Sequence, residues 1–149
     1  MEWERPDGYL ISDDRARIDV IRVHHWLSDE SYWAAGVSLE TVAKSVQNSI
    51  TLGCYDQSGV QVGVTRVITD GATVGVVSDV FVETSSRGLG LGTFLVRSAL
   101  EHPEAQGLRR ILLATSDAHG LYRRFGFDAL SNPERWMELR PTPSPLPPA

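Results

Sequence analysis

The sequence contains a single cysteine, and it has no apolar run long enough to cross a membrane. One cysteine, Cys54, excludes an internal disulfide framework and a zinc site built from cysteines. Because Cys54 lies in the apolar run 50–55, we expect a buried structural thiol rather than a nucleophile. No apolar run approaches ~18 residues, and the N-terminal residues lack the pattern of a signal peptide. We therefore expect a cytoplasmic protein that contacts no membrane.

Positive charge is also scarce. The chain carries 14 Lys and Arg against 19 Asp and Glu, a formal net charge of −5. Nucleic-acid binding needs clustered positive charge, so nucleic acid is not the expected partner. The length predicts one domain with a sizeable core, which we place at residues 1–140. Residues 141–149 are proline-rich and predict a disordered or polyproline-like tail.

The hydrophobic pattern predicts strands and helices in a mixed order. A short strand at 9–12 precedes two helices, and the inner face of the first would carry Ile18, Ile21, Val23, Trp26 and Leu27. Ser38 caps the second, whose apolar face would carry Leu39, Val42, Ala43 and Val46. Two hairpin strands follow at 49–56 and 60–68, with Val62, Val64 and Val67 facing inward. Next come a central strand at 74–82 and a helix after residue 90, a strand at 110–114, a helix around Tyr122 and a final strand at 136–139.

A glycine-rich loop joins the central strand to the helix that follows it. Residues 87–92 read Arg-Gly-Leu-Gly-Leu-Gly. Backbone N–H groups at such a helix start are unpaired, the helix dipole adds partial positive charge, and Arg87 adds a full charge. The loop therefore predicts a phosphate or pyrophosphate site, with a turn that only reverses the chain as the alternative. It is not a Walker loop because it lacks the lysine, and its glycine spacing does not fit a Rossmann loop.

Two motifs in this region resemble those of the GNAT superfamily of N-acetyltransferases. Arg87-x-x-Gly90-x-Gly92 after a strand is similar to the superfamily's acyl-CoA loop. Residues 117–127, which contain Leu-Tyr and Gly-Phe pairs, resemble the motif that follows that loop. The resemblance covers approximately residues 9–140. It implies an α/β (α+β) fold with a mixed, mostly antiparallel sheet that is splayed at the acyl-CoA site and flanked by about four helices.

The resemblance also implies an activity. It predicts an enzyme that moves the acetyl group of acetyl-CoA directly to a primary amine of a small molecule or peptide, without a metal. A GNAT-fold module that binds acyl-CoA or a protein without catalysis is the alternative, and a homodimer is compatible with the sequence. The residues expected to hold the donor are Phe81, Val82, Arg87, Gly88, Leu89, Gly90, Leu91, Gly92 and Thr93.

Two residues are expected to do the proton chemistry. Tyr122 matches the superfamily tyrosine that faces the thioester sulfur, and a phenol with a pKa near ~10 can protonate a thiolate. Its alternative is a packing role. Asp79 is an acid in a valine-rich strand, where burial is unfavourable without a wet cleft or a partner. A role as base or in acceptor recognition and a structural salt bridge both stay open for it, and ordered water could carry the proton instead.

Further candidates lie near the same positions or on the acceptor side. Other acids or bases that fit the chemistry are Glu83, Asp117 and His119. The superfamily's acceptor side corresponds to the first helix and the loop after it, which gives Tyr32, Trp33 and His25 as candidate acceptor residues. For Tyr32 and Trp33 the alternative is that they only cover the core. The sequence does not identify the acceptor.

Overall fold

The computed structural model describes residues 1–141, which fall into two compact units, Met1–Ser116 and the unit that begins at Asp117. The expected tail lies outside the described residues, except for Pro141, which is exposed and irregular. The assignment of residues 1–140 to a single domain stays a prediction.

One six-stranded sheet forms the centre of the first unit. Its strands lie side by side in chain order, and each antiparallel pair is joined by a short or helical connection. Only the last two strands are parallel. The predicted mixed, mostly antiparallel sheet is confirmed. The strands are β1 Glu2–Glu4, β2 Leu10–Ser12, β3 Ile50–Tyr55, β4 Gln61–Thr69, β5 Val74–Val82 and β6 Arg110–Leu112.

Four α-helices are present in the described chain: two lie before β3, one lies between β5 and β6, and one follows β6. They are α1 Val20–His25, α2 Leu39–Gln47, α3 Leu91–Glu101 and α4 His119–Arg123. The predicted cap of α2 is confirmed, because the Ser38 side chain accepts a hydrogen bond from Thr41 N. Short turns of 3₁₀ helix lie at Arg15–Arg17, Thr84–Ser86, Pro103–Ala105 and Pro133–Arg135, and α1 widens into a π-helical turn at Trp26–Glu30.

Helices cover both faces of the sheet. On one face α1 and α2 enclose Val64 and Phe81, and the rest of this core is formed by Ile18, Val23, Trp26, Leu27, Val42 and Val46. On the other face α3 contributes Leu91, Leu95, Val96 and Ala99, all buried. Gly63 permits this contact, because a Cβ there would lie only 3.1 Å from Leu95 Cδ1. The predicted inward positions Val62, Val64 and Val67 are confirmed.

The first helix differs from its prediction. Ile21 was expected to face inward, but it is 72% exposed. The reason is a break at Ile18, whose backbone is extended, so that the helix restarts at the Asp19 cap and its faces are rotated. The four other predicted inner residues of this segment are buried.

The predicted final strand at 136–139 is wrong. These residues are irregular, and Met137 and Leu139 are 98% and 77% exposed. A strand needs a neighbouring strand to satisfy its backbone groups, and the described part of the second unit contains none.

Candidate functional site

The carboxyl-terminal half of β5 has an open edge. Its parallel pairing with β6 covers only Val74, Gly75 and Val76, which lie opposite Arg110, Ile111 and Leu112. Within residues 1–116 no strand lies beside positions 77–82 on this edge. Within this unit no strand pairs with their outward N–H and C=O groups, and one of these groups, Val82 O, accepts a hydrogen bond from a side chain, Arg87 Nε. An edge of this kind can accept an extended ligand by strand addition. Phe81 and Val82, both expected to hold the donor, lie in this part of β5.

A β-bulge at Asp79 bends the same half of β5. Arg66 and Val64 of β4 are two residues apart, whereas their partners Ser78 and Phe81 are three apart. The extra residue changes the direction of the strand. Asp79 has φ +53°, and within residues 1–141 it is the single non-glycine residue with positive φ. This conformation is sterically unfavourable for a residue with a Cβ.

Both oxygens of the Asp79 carboxylate accept a hydrogen bond from a side chain. Oδ2 accepts a hydrogen bond from Arg66 Nε at 2.6 Å, and Oδ1 accepts one from the Trp33 indole N–H at 3.1 Å. The Asp79 and Arg66 side chains are only 8% and 10% exposed, so the ion pair is buried. Arg66 Nη1 also donates to Ser49 Oγ at 3.1 Å, which links the bulge to the start of β3. This geometry favours the salt-bridge alternative for Asp79 over the role of a free base.

An aromatic loop lies against the bulge. Trp33 is 6.5 Å from Phe81 between ring centroids and meets Tyr32 edge to face at 5.0 Å. Trp26 also stacks on Phe81, with 5.4 Å between the ring centroids. Tyr32 and Trp33 remain 55% and 44% exposed, so they present apolar surface beside the open edge of β5. His25 is further out, 61% exposed and paired with Asp29 at 2.8 Å.

The glycine loop follows β5 directly and ends at the amino terminus of α3. The first described hydrogen bond of this helix runs from Phe94 N to Gly90 O at 3.0 Å. The N–H groups of Leu91, Gly92 and Thr93 therefore precede the helical ladder, as at any helix start. Gly88 and Gly90 adopt φ +79° and +74°, which residues with a Cβ rarely adopt. Residues 87–90 are exposed.

Arg87 is oriented by the end of β5. Its Nε donates to Val82 O at 2.9 Å, and its guanidinium lies 5.3 Å from the centre of the Phe81 ring. Because Nε makes that bond, the two terminal nitrogens are the ones that remain for a ligand. Helix start, glycine backbone and guanidinium together fit a pyrophosphate chemically: several N–H donors and positive charge at one exposed place.

The remaining sequence candidates belong to other elements. Glu83 pairs with Arg22 at 3.0 Å. Tyr122 lies in α4 of the second unit, where it is buried and meets Phe127 edge to face at 5.9 Å. Asp117 and His119 belong to the same unit. Arg66 and Arg5, whose contacts shape the site, were not found from the sequence, because their partners lie 13 and 84 residues away.

Comparison with known proteins assigns the fold and the motifs to one family. The family model described as "Acetyltransferase (GNAT) family" matches residues 13–127. This chain belongs to the GNAT family. A Gibberella zeae protein that carries the name "Putative acetyltransferase" is 31% identical over 141 residues, covering 80% of this chain and 78% of its own length. The two predicted motifs thus lie within the matched region.

Solved structures of the GNAT family match the same fold. A crystal structure of a GNAT-family protein from Xanthomonas campestris pv. campestris superimposes with a TM-score of 0.86 at 40% identity, covering 91% of this chain and 94% of that chain. A GNAT-family acetyltransferase from Streptococcus pneumoniae has a TM-score of 0.67 at 23% identity, covering 97% and 100% of the two chains, and shows the fold alone. The fold predicted from the sequence is therefore confirmed.

The described part of the chain was expected to need neither a metal nor a membrane span. Residues 1–141 contain no group of three or more His, Cys, Asp or Glu side chains arranged to hold a metal ion. None of the helices in this described part has the length and apolarity required to cross a membrane.

Proposed function

We propose that this GNAT-family protein transfers the acetyl group of acetyl-CoA directly to a primary amine of a small molecule or peptide. The observation that carries the proposal is the exposed glycine loop at the start of α3 beside the open edge of β5. A donor with a pyrophosphate and an extended amide-containing arm matches both features. Residues 1–140 would act as one catalytic domain, as the GNAT resemblance implies.

The donor would be held along β5 and at the loop. The pantetheine amides would pair with outward backbone groups of β5 at Phe81 and Val82 in the manner of an added strand. The Val82 N–H is the group proposed for this pairing, because Val82 O already accepts a hydrogen bond from Arg87 Nε. The pyrophosphate would accept hydrogen bonds from loop N–H groups, and Arg87 would supply charge through its terminal nitrogens. Holding the thioester next to the amine in this way converts a bimolecular reaction into an effectively unimolecular one.

At the acyl carbon the reaction forms one bond and breaks one. The neutral amine nitrogen attacks the thioester carbonyl carbon, a C–N bond forms and the C–S bond breaks. Tyr122 would give its phenolic proton to the departing thiolate, the role implied by the resemblance of residues 117–127 to the GNAT motif. The ammonium form of the acceptor must first lose a proton, and we propose ordered water as its carrier. As the amide forms, its nitrogen loses one further proton, which ordered water would return to the Tyr122 phenolate. Tyr32, Trp33 and His25 are the proposed acceptor-side residues.

Asp79 would position the acceptor side rather than act as the base. We expect Asp79→Asn to keep the pH dependence of kcat/KM and to lower the free energy of unfolding by about 2 kcal/mol, because Arg66 then lacks its buried counter-charge. The measurements are a pH–rate profile and a urea denaturation curve, with Glu83→Gln as a control for loss of an acid in a less buried pair. A loss of about 10³ in kcat, together with loss of the limb that reports the base, would instead identify Asp79 as that base.

Direct transfer, without an acetyl-cysteine intermediate, is supported by the state of Cys54. The residue is 0% exposed, and burial raises the pKa of its thiol to about 12. We expect the folded protein to react with a thiol reagent only after denaturant is added, and Cys54→Ala to retain kcat within about twofold. Fast labelling of the native protein, or an inactive but folded alanine variant, would contradict direct transfer.

Titration calorimetry of the purified protein with acetyl-CoA tests the proposed function first. Binding, followed by release of free thiol when amines are screened, would support the acetyltransferase. Binding without turnover of any amine would favour the non-catalytic acyl-CoA-binding module. Absence of binding would overturn the proposed donor site and leave the family assignment standing.

A further inference from the structure

The turn between β1 and β2 approaches the glycine loop. Arg5 and Gly8 close the turn through two backbone hydrogen bonds, Arg5 N to Tyr9 O and Gly8 N to Arg5 O, both at 2.9 Å. The Gln57 side chain, from the turn between β3 and β4, donates to Asp7 O at 2.7 Å. The turn is therefore held by hydrogen bonds within itself and to the neighbouring β3–β4 turn, independently of its contact with the glycine loop.

The guanidinium of Arg5 is held on several sides. Its Nε and Nη2 donate to the two carboxylate oxygens of Asp7 at 3.1 and 2.6 Å. It lies 5.6 Å from the ring centres of both Tyr9 and Phe94. These contacts leave Nη1, which donates to Leu89 O in the middle of the glycine loop at 3.0 Å. A side chain fixed in this way loses little further freedom when it makes the last bond.

This last bond determines the direction of a peptide group. In a trans peptide the C=O of one residue and the N–H of the next point in opposite directions, and no peptide of the described chain is cis. Holding the Leu89 carbonyl against Arg5 therefore directs the Gly90 N–H away from Arg5. Without the bond, the Leu89–Gly90 peptide could rotate and present its carbonyl oxygen where an anion needs a donor.

We infer that Arg5 is a positioning residue of the donor loop, which fixes the Leu89–Gly90 peptide so that the Gly90 N–H is presented to the pyrophosphate of acyl-CoA. The inference rests on the proposed function of the loop. Arg5 acts here through the backbone, and its contribution differs from that of Arg87, whose terminal nitrogens are free of the bond to β5.

The chain offers a matched control for removal of charge. Arg97 is exposed on α3 and lines, together with Arg5, Thr93 and Phe94, a groove of about 540 Å³ beside the loop. We expect Arg5→Ala to raise the dissociation constant for acetyl-CoA by about tenfold, the effect of one charge-assisted hydrogen bond. Arg97→Ala, which removes the same charge from the same groove, should change it less than about twofold. Calorimetric titration gives both values.

Kinetics and a conservative variant separate positioning from a general loss of structure. Arg5→Ala should raise KM for acetyl-CoA and leave kcat and the acceptor KM within about twofold, because only donor binding depends on the loop. Arg5→Lys keeps one donor but not the paired contacts with Asp7, so its effect should fall between those of wild type and alanine. Equal losses in Arg5→Ala and Arg97→Ala, or no loss in Arg5→Ala, would overturn the inference.

A readout without ligand distinguishes this inference from the proposed function. Amide relaxation by NMR on the ligand-free protein should show lower order parameters for Gly88, Gly90 and Gly92 in Arg5→Ala than in wild type. Unchanged order would overturn the positioning role even if acetyl-CoA binds. Failure of wild type to bind acetyl-CoA, with the loop still loosened in the variant, would overturn the proposed donor function and leave the loop contact in place.

Discussion

Gly90→Glu should abolish measurable acetyl-CoA binding, with a loss of about 100-fold or more. The new carboxylate would stand at the start of α3 where the pyrophosphate is proposed to sit, and like charges brought together in a binding site cost several kcal/mol. Gly90 also has φ +74°, which is unfavourable for any residue with a Cβ. A Cβ added at this position would lie 3.8 Å from Arg5 Nη1. Calorimetry with acetyl-CoA is the measurement.

Gly71→Glu is the matched control for this variant. Gly71 has φ +70° and nothing within 4 Å of the position of a Cβ, and it lies in the turn between β4 and β5. The Gly71→Glu variant therefore has a similar backbone strain, about 1–2 kcal/mol, and gains the same charge as Gly90→Glu. We expect it to bind acetyl-CoA like wild type. Equal binding by wild type and Gly90→Glu would mean that the loop holds no pyrophosphate.

Tyr122→Phe should lower kcat by about 10²–10³ and leave the dissociation constant for acetyl-CoA within about twofold. The substitution keeps the ring that meets Phe127 and removes the phenolic hydroxyl, the group proposed to protonate the thiolate. Because the thiolate then leaves without this proton donor, the loss should appear in kcat and not in donor binding. Steady-state rates across pH and calorimetry together give the result.

Tyr55→Phe supplies a control for loss of a buried hydroxyl. The Tyr55 hydroxyl is buried and has no hydrogen-bond partner within residues 1–141, and burial raises its pKa to about 12. Its removal should leave kcat unchanged. If Tyr122→Phe also retains kcat within about threefold, another group or water protonates the thiolate.

Local sequence features were enough to predict the strand, the glycine loop and the helix at 74–102 and most of the sheet. Glycine spacing, a β-branched strand before it and an apolar helix face after it are all contained in residues 74–102. The break at Ile18 and the missing strand at 136–139 depend on packing and on available strand partners, which local periodicity does not contain. The contact of Arg5 with Leu89 joins residues 84 positions apart.

The bulge at Asp79 is a second feature that local sequence patterns do not predict. The sequence marked Asp79 as an unusual charge in a strand but left its role open, because Arg66 and Trp33 come from other elements. Nothing in the order Ser78-Asp79-Val80 signals a positive φ, since glycine is the residue that usually marks one. Only the assembled sheet shows that the extra residue and the buried ion pair occur together.

The bulge makes the course of β5 dependent on the loop that contains Trp33, which lies 46 residues before Asp79. A glycine at position 79 would adopt the same backbone with less strain, but it would leave Arg66 without a counter-charge and Trp33 without an acceptor. The shape of the strand is thus maintained by side-chain partners rather than by local backbone preference. Exchange of the loop at 31–36, made to change the proposed acceptor, would therefore also alter the strand proposed to hold the thioester, and would have to supply a new partner for Asp79.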